Sequence, residues 1–180
     1  VGTTVASSEY GGGVNVVTGQ LGNVMKESVN IAYTFARNYI QKIDADNDFF
    51  KRHQLHLHVP EGAVEKDGPS AGVAMTTSLI GIALGKKVRP RLGMTGELSL
   101  TGRVLPVGGI KEKVLAARRS GADTVILPVL NKIDFDELPD YIKNEVTVHF
   151  VSEYAEAFSV AFPEVKEKDS GTDYMRKYVL

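Results

Sequence analysis

The chain predicts a single α+β domain with helices and strands interleaved. Three observations lead there. Segments with helical hydrophobic spacing alternate with short strand-like segments from one end to the other. The length of 180 residues suits one domain and buries roughly two thirds of the unfolded surface, enough for a core without cross-links. Hydrophobic residues make up 43% and charged residues 24%, ordinary usage for a globular chain.

The elements follow in order. Residues 14–17 predict a short strand after the Gly11-Gly12-Gly13 turn. Leu21 to Ile43 predicts a long amphipathic helix, because Leu21, Val24, Met25, Ser28, Ala32, Phe35, Ala36 and Tyr39 recur at helical spacing. Leu55 to Val59 alternates apolar residues with His56 and His58, the period of a strand. Pro60 to Gly68 is expected to be a loop. Pro69 to Leu84 is small and apolar and predicts a buried helix with proline in its first turn. Leu98 to Leu105 predicts a hairpin turning at Thr101-Gly102. Ile110 to Arg119 predicts a helix closed by Gly121. Thr124 to Leu127 and Val146 to Val151 predict strands, and Ser152 is a candidate cap for a last helix ending at Phe162. The domain is expected to span residues 1–162, with 163–180 a loose polar tail.

Composition removes several function classes. Lys and Arg total 21 against 22 Asp and Glu, so the basic excess of a nucleic-acid-binding domain is missing. No apolar run approaches the ~20 residues of a membrane span, and no membrane partner is expected. With no cysteine there is no disulfide framework, thiolate metal site or Cys nucleophile. Val1 to Tyr10 lacks a basic region followed by an apolar one, so no targeting peptide is expected there. The spacing from Gly81 to Lys87 does not fit G-x-x-x-x-G-K-[ST], and no nucleotide site is expected.

Glycine is the unusual feature: ten of the 18 lie between Gly62 and Gly109. Within this segment, Asp67-Gly68-Pro69-Ser70-Ala71-Gly72 places a serine at the start of a helix. Unpaired N–H groups and the helix dipole favour negative charge there, which is what a developing oxyanion needs. Ser70 is thus a candidate nucleophile, with the backbone of Gly68, Pro69 and Ala71 as an oxyanion loop. Taken alone, the stretch is read more simply as a first-turn serine below an Asp67 cap. The G-x-S-x-G match to a nucleophile elbow fails on context, because an elbow needs a strand running straight into the serine and the last strand-like residue here is Val59.

A nucleophilic serine needs a base. His56 and His58 share one strand face but lack a third ligand with metal-site spacing, so no metal is expected. Lys113 is the better candidate. On a wheel at ~100° per residue, Ala116, Lys113, Ala117, Ile110 and Val114 form one continuous arc, and Arg118, Lys111, Leu115, Arg119 and Glu112 share the rest. Lys113 is the single charge on the small, apolar face. A desolvated lysine gives up its proton more readily and can serve as a base; a lysine on such a face also snorkels to the surface along its stem. Thr95 is a candidate holder of the lysine amine and Glu97 a candidate ion-pair partner, which spacing alone does not decide. The cluster Lys86, Lys87, Arg89 and Arg91 is expected to be a solvated loop. Two rivals are a Ser–His–Asp esterase using Ser70, His149 and Asp123, and a non-enzymatic binding module.

Several stretches together resemble the proteolytic domain of the ATP-dependent Lon proteases. They are Thr18-Gly19-Gln20-Leu21-Gly22, Val24-Met25-Lys26-Glu27-Ser28, His58-Val59-Pro60-Glu61-Gly62-Ala63, Lys66-Asp67-Gly68-Pro69-Ser70-Ala71-Gly72, Met94-Thr95-Gly96-Glu97, and Leu105-Pro106-Val107-Gly108-Gly109-Ile110-Lys111-Glu112-Lys113. The resemblance covers roughly Thr18 to Phe162. It implies a Ser–Lys dyad of Ser70 and Lys113, a lysine-orienting role for Thr95 and a site-shaping role for the Asp67 loop. It implies a fold similar to the ribosomal protein S5 domain 2-like fold. It further implies unfolded protein substrates, a companion AAA+ ATPase module that alone would carry ATP and Mg, and a homo-oligomeric ring, usually a hexamer. The stretch Ile31-Ala32-Tyr33-Thr34-Phe35-Ala36-Arg37 is similar to mitochondrial members, which implies the mitochondrial matrix, with the bacterial cytoplasm as the alternative. The chain departs from the family pattern at Val64-Glu65, where Thr-Pro is usual, and Val1 to Val17 matches the family's first β region poorly.

Overall fold

A computed structural model describes residues 2–7, 13–59 and 67–165. Strands β1 (Gly2–Ser7) and β2 (Gly13–Thr18) flank β3 (His53–His58) in a three-stranded sheet of order β1-β3-β2. β1 runs antiparallel to β3 and β2 parallel to it. The parallel pair requires a crossover, which α1 (Asn23–Ile43) and the short α2 (Phe49–Arg52) supply. The sequence pattern before residue 18 predicts one strand where there are two.

Helix α1 begins two residues after the predicted start. Leu21 is buried ahead of it and Val24 is exposed, while Met25, Ser28, Ala32, Phe35, Ala36 and Tyr39 form the predicted buried stripe. That stripe packs on α3 (Gly72–Leu84), which is buried on most sides. Helix α3 starts at Gly72 rather than Pro69, so Ser70 lies in the turn before it.

The second sheet is parallel, with strand order β4-β7-β8: β4 (Leu92–Met94), β7 (Thr124–Pro128) and β8 (Thr147–Val151). All five residues of β7 are buried, as expected of a central parallel strand covered on both faces. Its alternation divides the interior. Ile126 joins the larger core with α1, α3 and α7 (Tyr154–Ala161), and Val125 and Leu127 join a smaller core with Ile110, Val114, Phe135 and Ile142.

Between β4 and β7 lie the predicted hairpin, β5 (Glu97–Leu98) with β6 (Val104–Leu105), and α4 (Ile110–Arg119). Helix α4 ends as the sequence predicts: Gly121 N–H donates to Arg118 O and Ala122 N–H to Ala117 O, the paired bonds of a Schellman motif. Between β7 and β8 come a 3-10 turn (Val129–Asn131), α5 (Lys132–Asp136) and α6 (Asp140–Lys143), none of them predicted. The last helix is capped by Glu153 and Glu156 in a reciprocal capping box rather than by Ser152, whose N–H and hydroxyl both donate to Glu156. Those bonds hold the Glu156 carboxyl below its usual range. Most of the expected 60–68 loop, with Val64-Glu65, lies outside the described residues, as do 166–180 of the expected tail and most of the Gly11-Gly12-Gly13 turn. Among the described residues, no helix is long and apolar enough to cross a membrane.

Candidate active site

Ser70 sits where the turn from Asp67 enters α3, and neighbouring backbone fixes it. Its carbonyl accepts two hydrogen bonds, from Gly96 N–H at 3.0 Å and from the Thr95 hydroxyl at 3.0 Å. Gly96 O in turn accepts from Val73 N–H at 3.1 Å, in the first turn of α3. This close approach requires glycine at 72, since a Cβ there would lie 2.9 Å from Leu98 N. Thr95 therefore holds the backbone of the serine rather than the lysine amine. It is well placed to do so, because Thr95 is only 6% exposed and a buried hydroxyl needs a partner. The backbone bonds of the described residues use the carbonyls of Pro69, Ser70 and Ala71, and leave the N–H groups of Ser70 and Ala71 unused. Gly68, at φ 143°, has nothing among the described residues within 4 Å of where a Cβ would sit.

Asp67 does not cap α3. Its Oδ1 accepts from Met25 N–H at 3.0 Å, in the first turn of α1. The residue at that helix's own cap position is Gly22, which has no side chain to offer. A Cβ on Gly22 would lie 2.4 Å from Asp67 Cγ, so glycine is required for the carboxylate to enter. The loop before Ser70 is thereby fastened to a helix far away in sequence. Glycine at a helix N-cap was the sequence signal for this contact, since such a helix needs its capping group from elsewhere.

Lys113, Ala116 and Ala117 face a cleft of about 740 Å³ that Ser70, Ala74 and Thr95 line from the other side. The small, lysine-bearing face of the wheel is thus the face turned to the serine. Lys113 is half-buried as a residue, and its amine donates to Gly108 O at 2.8 Å in an exposed hydrogen bond. Among the described residues, no hydrogen bond joins it to Ser70. The structure therefore brings the two predicted residues to one cleft while the amine rests on the loop that opens α4. Gly108 as that resting place was not legible, because a carbonyl acceptor leaves no mark in residue type.

Other expectations fare differently. Glu97 forms no ion pair among the described residues and instead pairs through its backbone with Leu105. Arg118, on the arc of α4 away from Lys113, is largely covered and pairs with Glu145, with its Nε buried and unpartnered among the described residues. His149 sits on β8 opposite Ile126, and Asp123 pairs with Arg91 at 3.3 Å. Neither lines the cleft among the described residues, and nothing favours a Ser70–His149–Asp123 triad. His56 Nε2 and His58 Nδ1 converge instead on the Thr18 hydroxyl, at 2.9 and 2.6 Å. All four residues of the basic cluster are exposed as expected, and Arg89 and Arg91 also line the cleft.

A sequence model of the Lon protease (S16) C-terminal proteolytic domain matches residues 3–164. The chain belongs to the Lon proteolytic domain family. Its α+β architecture is the one expected of that family. Similar proteins include a mitochondrial Lon protease homolog of Dictyostelium discoideum, 54% identical over 149 residues, covering 83% of this chain and 16% of that protein. A mitochondrial Lon protease homolog of Bos taurus is 57% identical over 148 residues, covering 82% and 15%. Lon protease 1 of the bacterium Syntrophotalea carbinolica is 54% identical over 145 residues, covering 81% and 18%. This Lon domain thus spans less than a fifth of the length of these curated relatives.

Proposed function

We propose that this Lon domain is a serine endopeptidase in which Ser70 is the nucleophile and Lys113 its general base. The observation that carries the proposal is the shared cleft. Ser70 enters it from a turn pinned by Thr95 and Gly96, and Lys113 enters it from the small face of α4. The cleft is also lined by Leu92, Gly93 and Met94 of β4, an edge strand. A free strand edge can pair with an extended peptide, which is the form a cleavable substrate takes.

In the reaction, Lys113 gives its extra proton to solvent, leaves Gly108 O, and takes the Ser70 proton while the serine oxygen attacks a peptide carbonyl. The N–H groups of Ser70 and Ala71, unused among the described residues, lie beside the nucleophile and stabilise the oxyanion; losing one such donor costs about 3 kcal/mol in other proteases. The lysine then gives its proton to the leaving amine, and water releases the acyl group. Asp67 shapes the site by tethering the turn to α1. In the longer protein of which the relatives are examples, the domain receives unfolded proteins from an ATP- and Mg-using AAA+ module and works in a homo-oligomeric ring, as a hexamer. The mitochondrial names of relatives at 54–57% identity support the mitochondrial matrix as its location. The 1–162 domain with a 163–180 tail is the division we adopt.

The test is hydrolysis of a fluorogenic peptide. Ser70→Ala and Lys113→Gln should each abolish turnover while circular dichroism and thermal unfolding remain those of the parent, and a serine-directed boronate should map to Ser70 by mass spectrometry. Full turnover in either purified variant overturns the dyad. A parent protein that neither cleaves peptides nor reacts with the boronate is a binding module instead.

A further inference from the structure

The cleft beside Ser70 carries positive charge that the proposed chemistry does not use. Its charged lining residues among the described residues are Arg89, Arg91 and Lys113, with no acidic side chain. Arg91 is committed, since its Nε donates to Gly121 O at 2.9 Å and lies 3.3 Å from Asp123. Arg89 forms no ion pair among the described residues, and its backbone N–H is fixed on Ala161 O at 2.8 Å. The cleft does not stop there. Ser78 and Val88 line both it and a second hollow of about 420 Å³, which is also lined by Phe49, Lys86 and Lys87. Lys86 and Lys87 are exposed and likewise form no ion pair among the described residues. The two hollows thus adjoin along α3 at Ser78 and Val88, and together present Arg89, Lys86 and Lys87, three cations without an ion pair among the described residues.

From these features we propose that the groove selects substrates carrying carboxylate side chains at a distance from the scissile bond, with Arg89, Lys86 and Lys87 as the specificity-determining residues. This deepens the peptidase proposal and rests on it. The spacing follows from the helix. Gly72 to Ser78 along α3 is about 9 Å at 1.5 Å per residue, and with the turn that carries Ser70 an extended peptide covers the span in about four residues at ~3.3 Å each. Asp or Glu four to six residues from the cleaved bond then reaches the cations, while small lining residues such as Ala74 and Gly93 leave room for the chain nearer the serine. A peptide fits better than a nucleic acid, because the groove floor offers a strand edge and the chain as a whole is acid–base balanced. Exposed ion pairs are individually weak and screened beyond ~8 Å at physiological salt. The expected preference is accordingly modest, about threefold to tenfold for two or three pairs.

The experiment uses the 180-residue chain and twelve-residue peptides sharing one cleavable bond. They carry either Glu or Gln at the fourth to sixth positions, on one side of the bond or the other. On one of the two sides, kcat/KM for the Glu peptide should exceed that for the Gln peptide about threefold or more, and the ratio should approach one in 0.5 M salt. In Lys86→Ala/Lys87→Ala/Arg89→Ala the ratio should fall to about one, whereas Lys42→Ala, on the exposed end of α1, should leave it unchanged. Binding of the same fluorescent peptides to Ser70→Ala gives a second readout that needs no turnover. Ratios near one on both sides in both readouts overturn the inference while cleavage itself stands. Absence of cleavage sinks the peptidase proposal, and the binding ratio then decides the groove's preference alone. A short single-stranded oligonucleotide that binds Ser70→Ala more tightly than the Glu peptides, and loses that binding in the triple variant, would make the surface a nucleic-acid site and refute the proposal.

Discussion

Thr95 shows how a single hydroxyl can fix the backbone of the proposed nucleophile, Ser70, without touching its side chain. Its bond to the Ser70 carbonyl adds to the one from Gly96 N–H, and the pair fixes the backbone from which the serine side chain departs. Thr95→Val keeps the volume and removes the donor. Unfolding free energy should drop by about 1 kcal/mol, kcat should fall while KM changes little, and Thr95→Ser should restore both. Loss of stability with kcat intact would reduce Thr95 to a structural role. At this scale the sequence was legible for side chains and silent for backbone. The wheel distinguished Lys113 from Lys111 because faces follow from period, and Lys113 indeed lines the cleft. The resting of its amine on Gly108 O depends on carbonyl direction, which residue types do not encode.

Among elements, the turn before α3 and the first turn of α1 behave as one unit through Asp67 and Met25. Gly22→Ala would drive a methyl group into the Asp67 carboxylate and release it from the helix end. Loss of a helix cap costs about 1–2 kcal/mol. The variant should therefore unfold at lower temperature and lose peptidase activity together; activity equal to the parent's would detach Asp67 from the site. Long periodic segments were readable in advance, and α4 has its predicted bounds. The short α5 and α6 were not, because four- and five-residue helices are too brief to display a period. Nor was β4, whose three residues include a glycine and acquire strand form by pairing with β7. That pairing is tertiary, and it sets the wall of the cleft.

At the scale of the whole molecule, α1, α3 and α7 meet around Tyr154. Its ring lies edge-on to Phe35 and Tyr39, and its hydroxyl is 3.0 Å from Thr77 Oγ1. Burial pushes the phenol well above the usual tyrosine range, against a smaller opposing effect of the Thr77 bond. The fold thus favours the neutral phenol. Its contribution is complete below about pH 10, the unfolded value, and is lost as pH rises beyond it, at about 1.4 kcal/mol per pH unit. Chemical denaturation at pH 9, 10 and 11 should show this added slope in the parent and not in Tyr154→Phe; identical slopes would mean the phenol ionises as freely folded as unfolded. The division of β7 between two cores explains why fold class was readable from sequence while the cleft was not. A continuous apolar run announces a central strand, but the cleft arises between α3 and α4, which lie on different cores.

The tether between Asp67 and Met25 has one more consequence. The Met25 amide proton is shielded by a carboxylate 42 residues downstream, so its exchange with deuterated solvent keeps time for the serine-bearing turn. Any compound that lifts that turn will be recorded as faster labelling at the start of α1, far along the chain from where it binds and without a single peptide being cut.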